Sequence, residues 1–199
     1  EALARVLARG GSALVPVFAL GRAQEVLALV DRYKRRRVIP EDTPVYTAGP
    51  RAPMEHVVGE LPAPLVRTDR GGQVTYHGPG QLVAYPIVRL AERGLLLRPF
   101  VRTLEQAMID TCAAFGVEAG RRDAYPGCWV GPDEARPRKL GALGLRVERG
   151  ISYHGIALNV TTDLAAYQLI DPCGMPAVEV TSIAREAGWP AAESTPSTA

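Results

Sequence analysis

The 199 residues carry 47% hydrophobic and 22% charged side chains, which suits one folded domain able to bury a core and excludes a large multidomain enzyme. Lys and Arg number 23 against 21 Asp and Glu, a formal charge of +2, too little for a nucleic-acid or membrane footprint, so neither partner is expected. The cysteines Cys112, Cys128 and Cys173 are widely spaced without a CxxC pair, which gives neither a disulfide framework nor a structural zinc site and fits a reducing cytoplasm.

The chain begins at Glu1, without an initiator Met, so further sequence is expected upstream. Glu1 to Gly10 lack a signal peptide's charged-then-apolar layout, and no run of about 18 apolar residues follows. Ala13 to Leu20, after Gly10-Gly11-Ser12, predict a buried strand. Val26, Leu27, Val30 and Tyr33 then fall at helical spacing, and the basic run Lys34 to Arg37 reads as a solvated helix end rather than a nucleic-acid contact. Pro40, Pro44, Pro50, Pro53, Pro62 and Pro64 punctuate a linker-like stretch holding one short strand, PVYT. Leu65 to Thr68, Gln73 to Tyr76 and Leu82 to Val88 predict strands between Gly-rich turns. Thr103-Leu-Glu-Gln106 has the form of a capping box opening a helix, with Leu104, Met108, Cys112 and Phe115 along one face. Cys128 opens an apolar strand. Leu140 to Val147 and Ile151 to Asn159 predict a hairpin, a short helix starts at Asp163, and the tail from Ala191 is small, polar and expected to be disordered. The set predicts an α/β fold of the α+β kind, a mixed sheet flanked by helices and not a doubly wound sheet. No GxGxxG or GxxxxGK[ST] pattern is present.

Four clusters place reactive or donor groups beside glycine: Arg70 to Gly80, Lys139 to Gly144, His154 to Ala157, and Pro172 to Gly174. Each is either a tight turn or a place where backbone approaches a ligand closely. Cys173 is the best nucleophile candidate, lying in a turn and not on an apolar stripe, whereas Cys112 and Cys128 read as core. A catalytic thiol needs a cation or base beside it, which Lys139 or a histidine could supply. Lys34 and Lys139 are the only lysines in an Arg-rich chain, so Lys139 is either a group required to lose its proton or one more basic residue of the exposed RPRK loop. His77 and His154 read equally as ligand-facing or structural. His56, His77 and His154 show no HxH or HExxH spacing, and no metal site is expected.

From about Pro44 to Ser182, the motifs PVYTAG, TDRGGQVTYHGPGQLVAYPI, GCWVG, RKLGALGLRV, SYHGIALNV and DPCGMPAVEVTSI closely resemble the octanoyl-[acyl carrier protein]:protein N-octanoyltransferases of lipoate biosynthesis. The resemblance implies the catalytic-domain fold of biotin protein ligases and lipoate-protein ligases. It implies Cys173 as the nucleophile that forms an octanoyl thioester and Lys139 as its proton-transfer partner. Acyl-substrate contacts would come from Arg70, Gly71, Gly72, Gln73, Val74, Thr75, Tyr76 and His77, with Ala142, Leu143, Gly144, Gly155, Ile156 and Ala157. The implied partners are octanoyl-acyl carrier protein, whose phosphopantetheine arm brings the acyl group as substrate, and the lipoyl domains of 2-oxoacid dehydrogenase complexes and glycine cleavage H protein. No cofactor is implied, and a cytoplasmic monomer is expected.

GGSALVPVFALGRAQEVLALVDRYKRR resembles instead a segment of the β-CASP nucleases of the metallo-β-lactamase superfamily, without their HxHxDH signature. Residues 1–43 are therefore expected to be a separate fragment replacing the transferase family's N-terminal elements, joined near residues 40 to 50 to a catalytic domain of residues 44–190, with a tail from 191 to 199. The chain is also expected to stop before that family's C-terminal helix is complete. Two alternatives follow: a fragment of a zinc-dependent RNA-processing nuclease, or a non-catalytic module binding lipoyl domains or acyl carriers should Lys139 lie far from Cys173.

Overall fold

The computed structural model describes residues 44–190, except Ala177. The predicted strand at 13–20, the helix after it, the 1–43 fragment and the 191–199 tail lie outside these residues.

Short runs of β-branched and aromatic residues between Gly and Pro turns form a first small sheet. Strand β1 (Val45–Ala48) pairs in parallel with β2 (Leu65–Arg67) and antiparallel with β3 (Val74–His77), in the order β2-β1-β3. Alternation along β3 sends Val74 and Tyr76 into a core with Tyr46, Ala48, Tyr167, Ile170 and Val180 and leaves Gln73, Thr75 and His77 for the opposite face.

The second sheet holds β4 (Gln81–Ala84), β5 (Gly120–Arg122), β6 (Tyr125–Val130), β7 (Arg138–Glu148), β8 (Ile151–Asn159) and β9 (Glu179–Val180). Its order is β4-β8-β7-β6-β5, with β9 parallel to the start of β7. The predicted β7–β8 hairpin is present, in register from Gly141↔Leu158 to Glu148↔Ile151. Arg149 and Gly150 make its turn at φ 50° and 76°, the left-handed pair that matches the twist of the strands. The strand predicted to Val88 ends at Ala84, because Pro86 offers no N–H to a ladder.

Helix α1 (Leu97–Ala114) starts six residues before the predicted capping box. Pro99 is tolerated in its first turn, where no intrahelical N–H is needed. Thr103 is thus interior, and its Oγ1 donates back to Pro99 O at 3.1 Å. Met108 and Cys112 of the predicted face are buried, Leu104 is half-buried, and Phe115 is exposed at the helix end, edge-on to Trp189. With Val117, Cys128, Val130, Leu140, Leu158 and Ile183, Met108 and Cys112 form the second core cluster, which packs α1 and the short helix α2 (Ile183–Glu186) on the large sheet. Cys112 and Cys128 are buried with their sulfurs 3.9 Å apart. The adjacent Cys112 thiol and burial push the Cys128 thiol up, so it is a packing residue, as predicted.

One buried carboxylate ties α1 to the sheet. Glu105, 1% exposed, accepts from Gly127 N at 3.0 Å and Arg102 Nη1 at 3.0 Å, and lies 3.3 Å from Arg121 Nε. Glu105→Ala leaves the Gly127 N–H unpaired and strips an anion from two guanidinium groups. Urea unfolding is expected to show a loss of about 2–3 kcal/mol.

Candidate active site

Ile170 ends a 3-10 helix (Leu164–Leu169) that opens, as predicted, at Asp163, whose side chain accepts from Ala165 N at 3.0 Å. The chain then turns through Pro172–Gly174. Cys173 takes φ 59°, ψ 23° and Gly174 follows at φ 67°. A left-handed conformation costs an L-residue about 1–2 kcal/mol, and such strain persists where the surroundings hold it for a function. Here Gly174 N donates to Asp171 O at 3.0 Å and Met175 N to Pro172 O at 3.2 Å. A methyl group on Gly174 would stand 2.9 Å from His56 Cε1 and 3.1 Å from Gln73 Cγ, so only glycine fits beside the nucleophile candidate.

Lys139 is reached from the other side. It sits near the start of β7, 4% exposed, bonded through its backbone to β6 and to the β9 segment, where Thr181 N donates to Lys139 O at 2.9 Å. It is thus not a residue of an exposed loop. The β6–β7 ladder is irregular at this point: Cys128 faces Gly141, yet the next residue, Trp129, faces Lys139. The extra residue on β7 is a bulge, a device that re-aims side chains. Lys139 Nζ lies 4.8 Å from the Trp129 ring centroid and 3.5 Å from Pro126 O. Cys173 and Lys139 line the same cavity, walled by Thr75, Ala142, Asn159, Tyr167 and Val180.

Beside this cavity lies a polar layer held by Arg70. Its Nε donates to Thr47 Oγ1 at 3.0 Å, Nη1 to Gly71 O at 3.0 Å, and Nη2 to Thr47 O and Gln73 O at 2.6 Å each. Among the described residues no carboxylate forms an ion pair with it. Burial lowers Arg70 from the usual guanidinium range, and Cys173 and Tyr85 act against that shift. His77 has an assignable tautomer. Gln81 Nε2 donates to Tyr76 O, Asn159 Oδ1 and Tyr167 OH at 2.9–3.1 Å, which leaves Gln81 Oε1 to accept from His77 Nδ1–H at 2.8 Å. Burial pushes His77 down to about 4, against the pull of Gln81, so it is neutral at pH 7 with its lone pair on Nε2. His154, at φ 55°, bonds Asp69 Oδ1 through Nε2 at 2.8 Å. Burial pushes His154 down, partly offset by Asp69. Burial would raise Asp69, but bonds from His154 and Tyr153 hold it below the usual carboxylate range.

Of the predicted site residues, Cys173, Lys139, Thr75 and Ala142 line the cavity together. Arg70, Gln73 and His77 lie at its margin by the contacts above. Val74 and Tyr76 point into the first core, and Ile156 packs on the second. Gly71 and Gly144 seat the Arg70 loop on β7, since a Cβ on Gly71 would meet Leu145 O at 2.7 Å and one on Gly144 would meet Gly71 O at 2.9 Å. Gly72, at φ 88°, turns that loop. Leu143 and Ala157 are β7 and β8 ladder residues, and Gly155 lets Ala84 O approach within 1.9 Å of where its Cβ would be. Pro172, of the predicted Pro172–Gly174 cluster, also lines the cavity, and Asn159, Tyr167 and Val180 do so without having been singled out. Asn159 alone carried a signal, a polar residue closing an apolar strand. Among the described residues no group of three or more His, Cys, Asp or Glu is placed to hold a metal ion, and no helix is long and apolar enough to cross a membrane.

A pH dependence of stability follows from His77. The unfolded imidazole takes up its proton near 6.5 and the folded one near 4. Between these values the unfolded chain binds more protons, so stability falls as the pH falls. Urea titrations from pH 7 to 4 are expected to show that decline, with a shallower slope in His77→Gln.

Comparison with known proteins places this arrangement. A sequence-family model of the lipoyl protein ligase A/B catalytic domain matches residues 16–196. The octanoyltransferase of Aromatoleum aromaticum is 54% identical over 134 residues, 67% of this chain and 56% of that protein. The octanoyltransferase of Thiobacillus denitrificans is 51% identical over 141 residues, 71% of this chain and 62% of that protein. The chain thus spans about three fifths of these relatives' length. Among solved structures, the lipoate protein ligase of Thermoplasma acidophilum superposes with a TM-score of 0.51 at 15% identity, over 72% of this chain and 60% of that one, a likeness of fold that agrees with the predicted class. With a catalytic-domain match running through most of its length, the chain belongs to the lipoyl protein ligase A/B catalytic domain family.

Proposed function

We propose that the protein transfers an octanoyl group from octanoyl-acyl carrier protein to the target lysine of a lipoyl domain, through a thioester on Cys173. The observation that carries this reading is the placement of Cys173 and Lys139 on one cavity, in a chain whose relatives in Aromatoleum and Thiobacillus are named octanoyltransferases. The Thermoplasma ligase was described together with its E2 lipoyl domain, and a lipoyl domain is the acceptor proposed here as well.

In the first half-reaction Lys139 takes the thiol proton of Cys173, and the sulfur attacks the thioester carbonyl of the donor. The bond to the pantetheine sulfur breaks, that sulfur leaves with the proton from Lys139, and S-octanoyl-Cys173 remains. Exchange of one thioester for another is close to balanced in energy. In the second half-reaction the neutral amine of the acceptor lysine attacks the same carbonyl. Lys139 accepts its proton and passes it to the departing Cys173 sulfur as the amide forms. The cation of Arg70, bonded only to neutral acceptors among the described residues, favours negative charge at the sulfur and at the carbonyl oxygen in both steps. The chemistry draws on no metal or nucleotide.

Incubation with octanoyl-acyl carrier protein is expected to add one octanoyl group to the peptide containing Cys173, read by mass spectrometry. Cys173→Ala is expected to abolish the adduct, and its persistence would overturn the assignment. Lys139→Ala is expected to lower kcat/KM by about 10²-fold or more.

A further inference from the structure

Lys139 raises a physical question that the proposed reaction leaves open. A buried ammonium needs a partner, and among the described residues Lys139 forms no ion pair. Among the described residues its side chain donates to Pro126 O, a long bond at 3.5 Å. The remaining contact is the indole of Trp129 at 4.8 Å. Trp129 is wholly buried and is itself held, with Nε1 donating to Tyr125 O at 2.9 Å and the Arg122 guanidinium 5.3 Å from its ring. The β7 bulge at Leu140 sets Trp129 opposite Lys139. Gly127, at φ 141°, lets β6 approach β7 beside the lysine: a Cβ there would stand 2.5 Å from Gly141 O, with Lys139 Cε in van der Waals contact at 3.4 Å.

We infer that Pro126, Gly127 and Trp129 form a cradle in which the π face of Trp129 positions the Lys139 amine for proton transfer at Cys173. Trp129 is then a positioning residue, acting through Lys139 and touching no substrate. A desolvated ring face attracts a cation most strongly, so the indole holds Nζ while Lys139 carries the proton within each half-reaction, from Cys173 to the pantetheine sulfur and then from the acceptor amine back to Cys173. The glycine lets β6 and β7 close together beside the lysine, the carbonyl takes one N–H, and the ring face lies where no carboxylate is placed among the described residues. This inference rests on the proton-transfer role proposed for Lys139.

The test compares single-turnover octanoylation of Cys173 in the full chain. Trp129→Leu is expected to slow the step about tenfold or more, with little change in KM for octanoyl-acyl carrier protein, because displacement of a catalytic group costs rate more than binding. Trp129→Phe, which keeps a ring face, is expected to recover most of that loss. In a Lys139→Ala background Trp129→Leu is expected to add less than about twofold, since the ring then has nothing to position. Multiplicative effects of the two substitutions, or equal rates for the Leu and Phe variants, would overturn the cradle. Wild-type turnover in Lys139→Ala would overturn the proton-transfer role itself. Should Trp129→Leu fail to fold, fluorinated tryptophan in a Trp189→Phe background weakens the ring face without changing its shape. The chain has two tryptophans, so Trp129 is then the one labelled. The rate is expected to fall with each added fluorine, and a flat series would contradict the inference.

Discussion

A lysine amine buried inside a β-sheet is the constraint on which the rest of the structure turns. Lys139 is 4% exposed, its strand is paired with β6 on one side and β9 on the other, and no ion pair to it occurs among the described residues. Whenever that amine holds a proton, leaving the charge unsolvated would cost several kcal/mol. The fold answers with the Trp129 ring, the Pro126 carbonyl and a ladder irregularity that brings both to it.

Other features align with that arrangement. Glu105 of α1 fixes the β6 backbone at Gly127, the residue that lets β6 approach the Gly141 carbonyl of β7 beside the lysine. The two hydrophobic clusters stand on either side: Leu140 and Leu158 belong to one, Tyr167 and Val180 to the other, and all but Leu158 also line the cavity. Packing the α1 layer and packing the small sheet therefore fix opposite walls of the same space. Cys173 closes it from a strained turn whose partner glycine is pressed against His56 and Gln73. His56 Nδ1 and Gln73 Oε1 are buried there without a hydrogen-bond partner.

Much of this was legible in the sequence where the signal is local. The β7–β8 hairpin shows in its apolar runs and Arg-Gly turn, the Asp163 cap in its residue type, and the core character of Cys112 in its place on a helical stripe. The start of α1 was misread because Thr103-Leu-Glu-Gln106 has a capping pattern that an earlier helical turn overrides. Strands β5 and β9, of three and two residues, have too little periodicity to be seen and exist because β6 and β7 offer them edges. The bulge opposite Lys139 was also invisible, since register depends on the pairing of two strands and not on either alone. For the same reason nothing in the sequence pairs Trp129 with Lys139, and Asn159 and Tyr167 could not be assigned to the cavity. Cys173 and Lys139 were found through motifs, but that they share one cavity is a fact of the fold.

The central claim is that Lys139 and Arg70 make Cys173 the reactive thiol of the chain. Its most direct test is the rate of iodoacetamide alkylation at each cysteine near pH 7, resolved by peptide mass spectrometry in the wild-type chain and in Lys139→Ala. The account predicts that Cys173 is alkylated far faster than the buried Cys112 and Cys128, and that Lys139→Ala slows it by about tenfold or more. Alkylation of Cys173 at the rate of an ordinary free thiol, unchanged by Lys139→Ala, would contradict it.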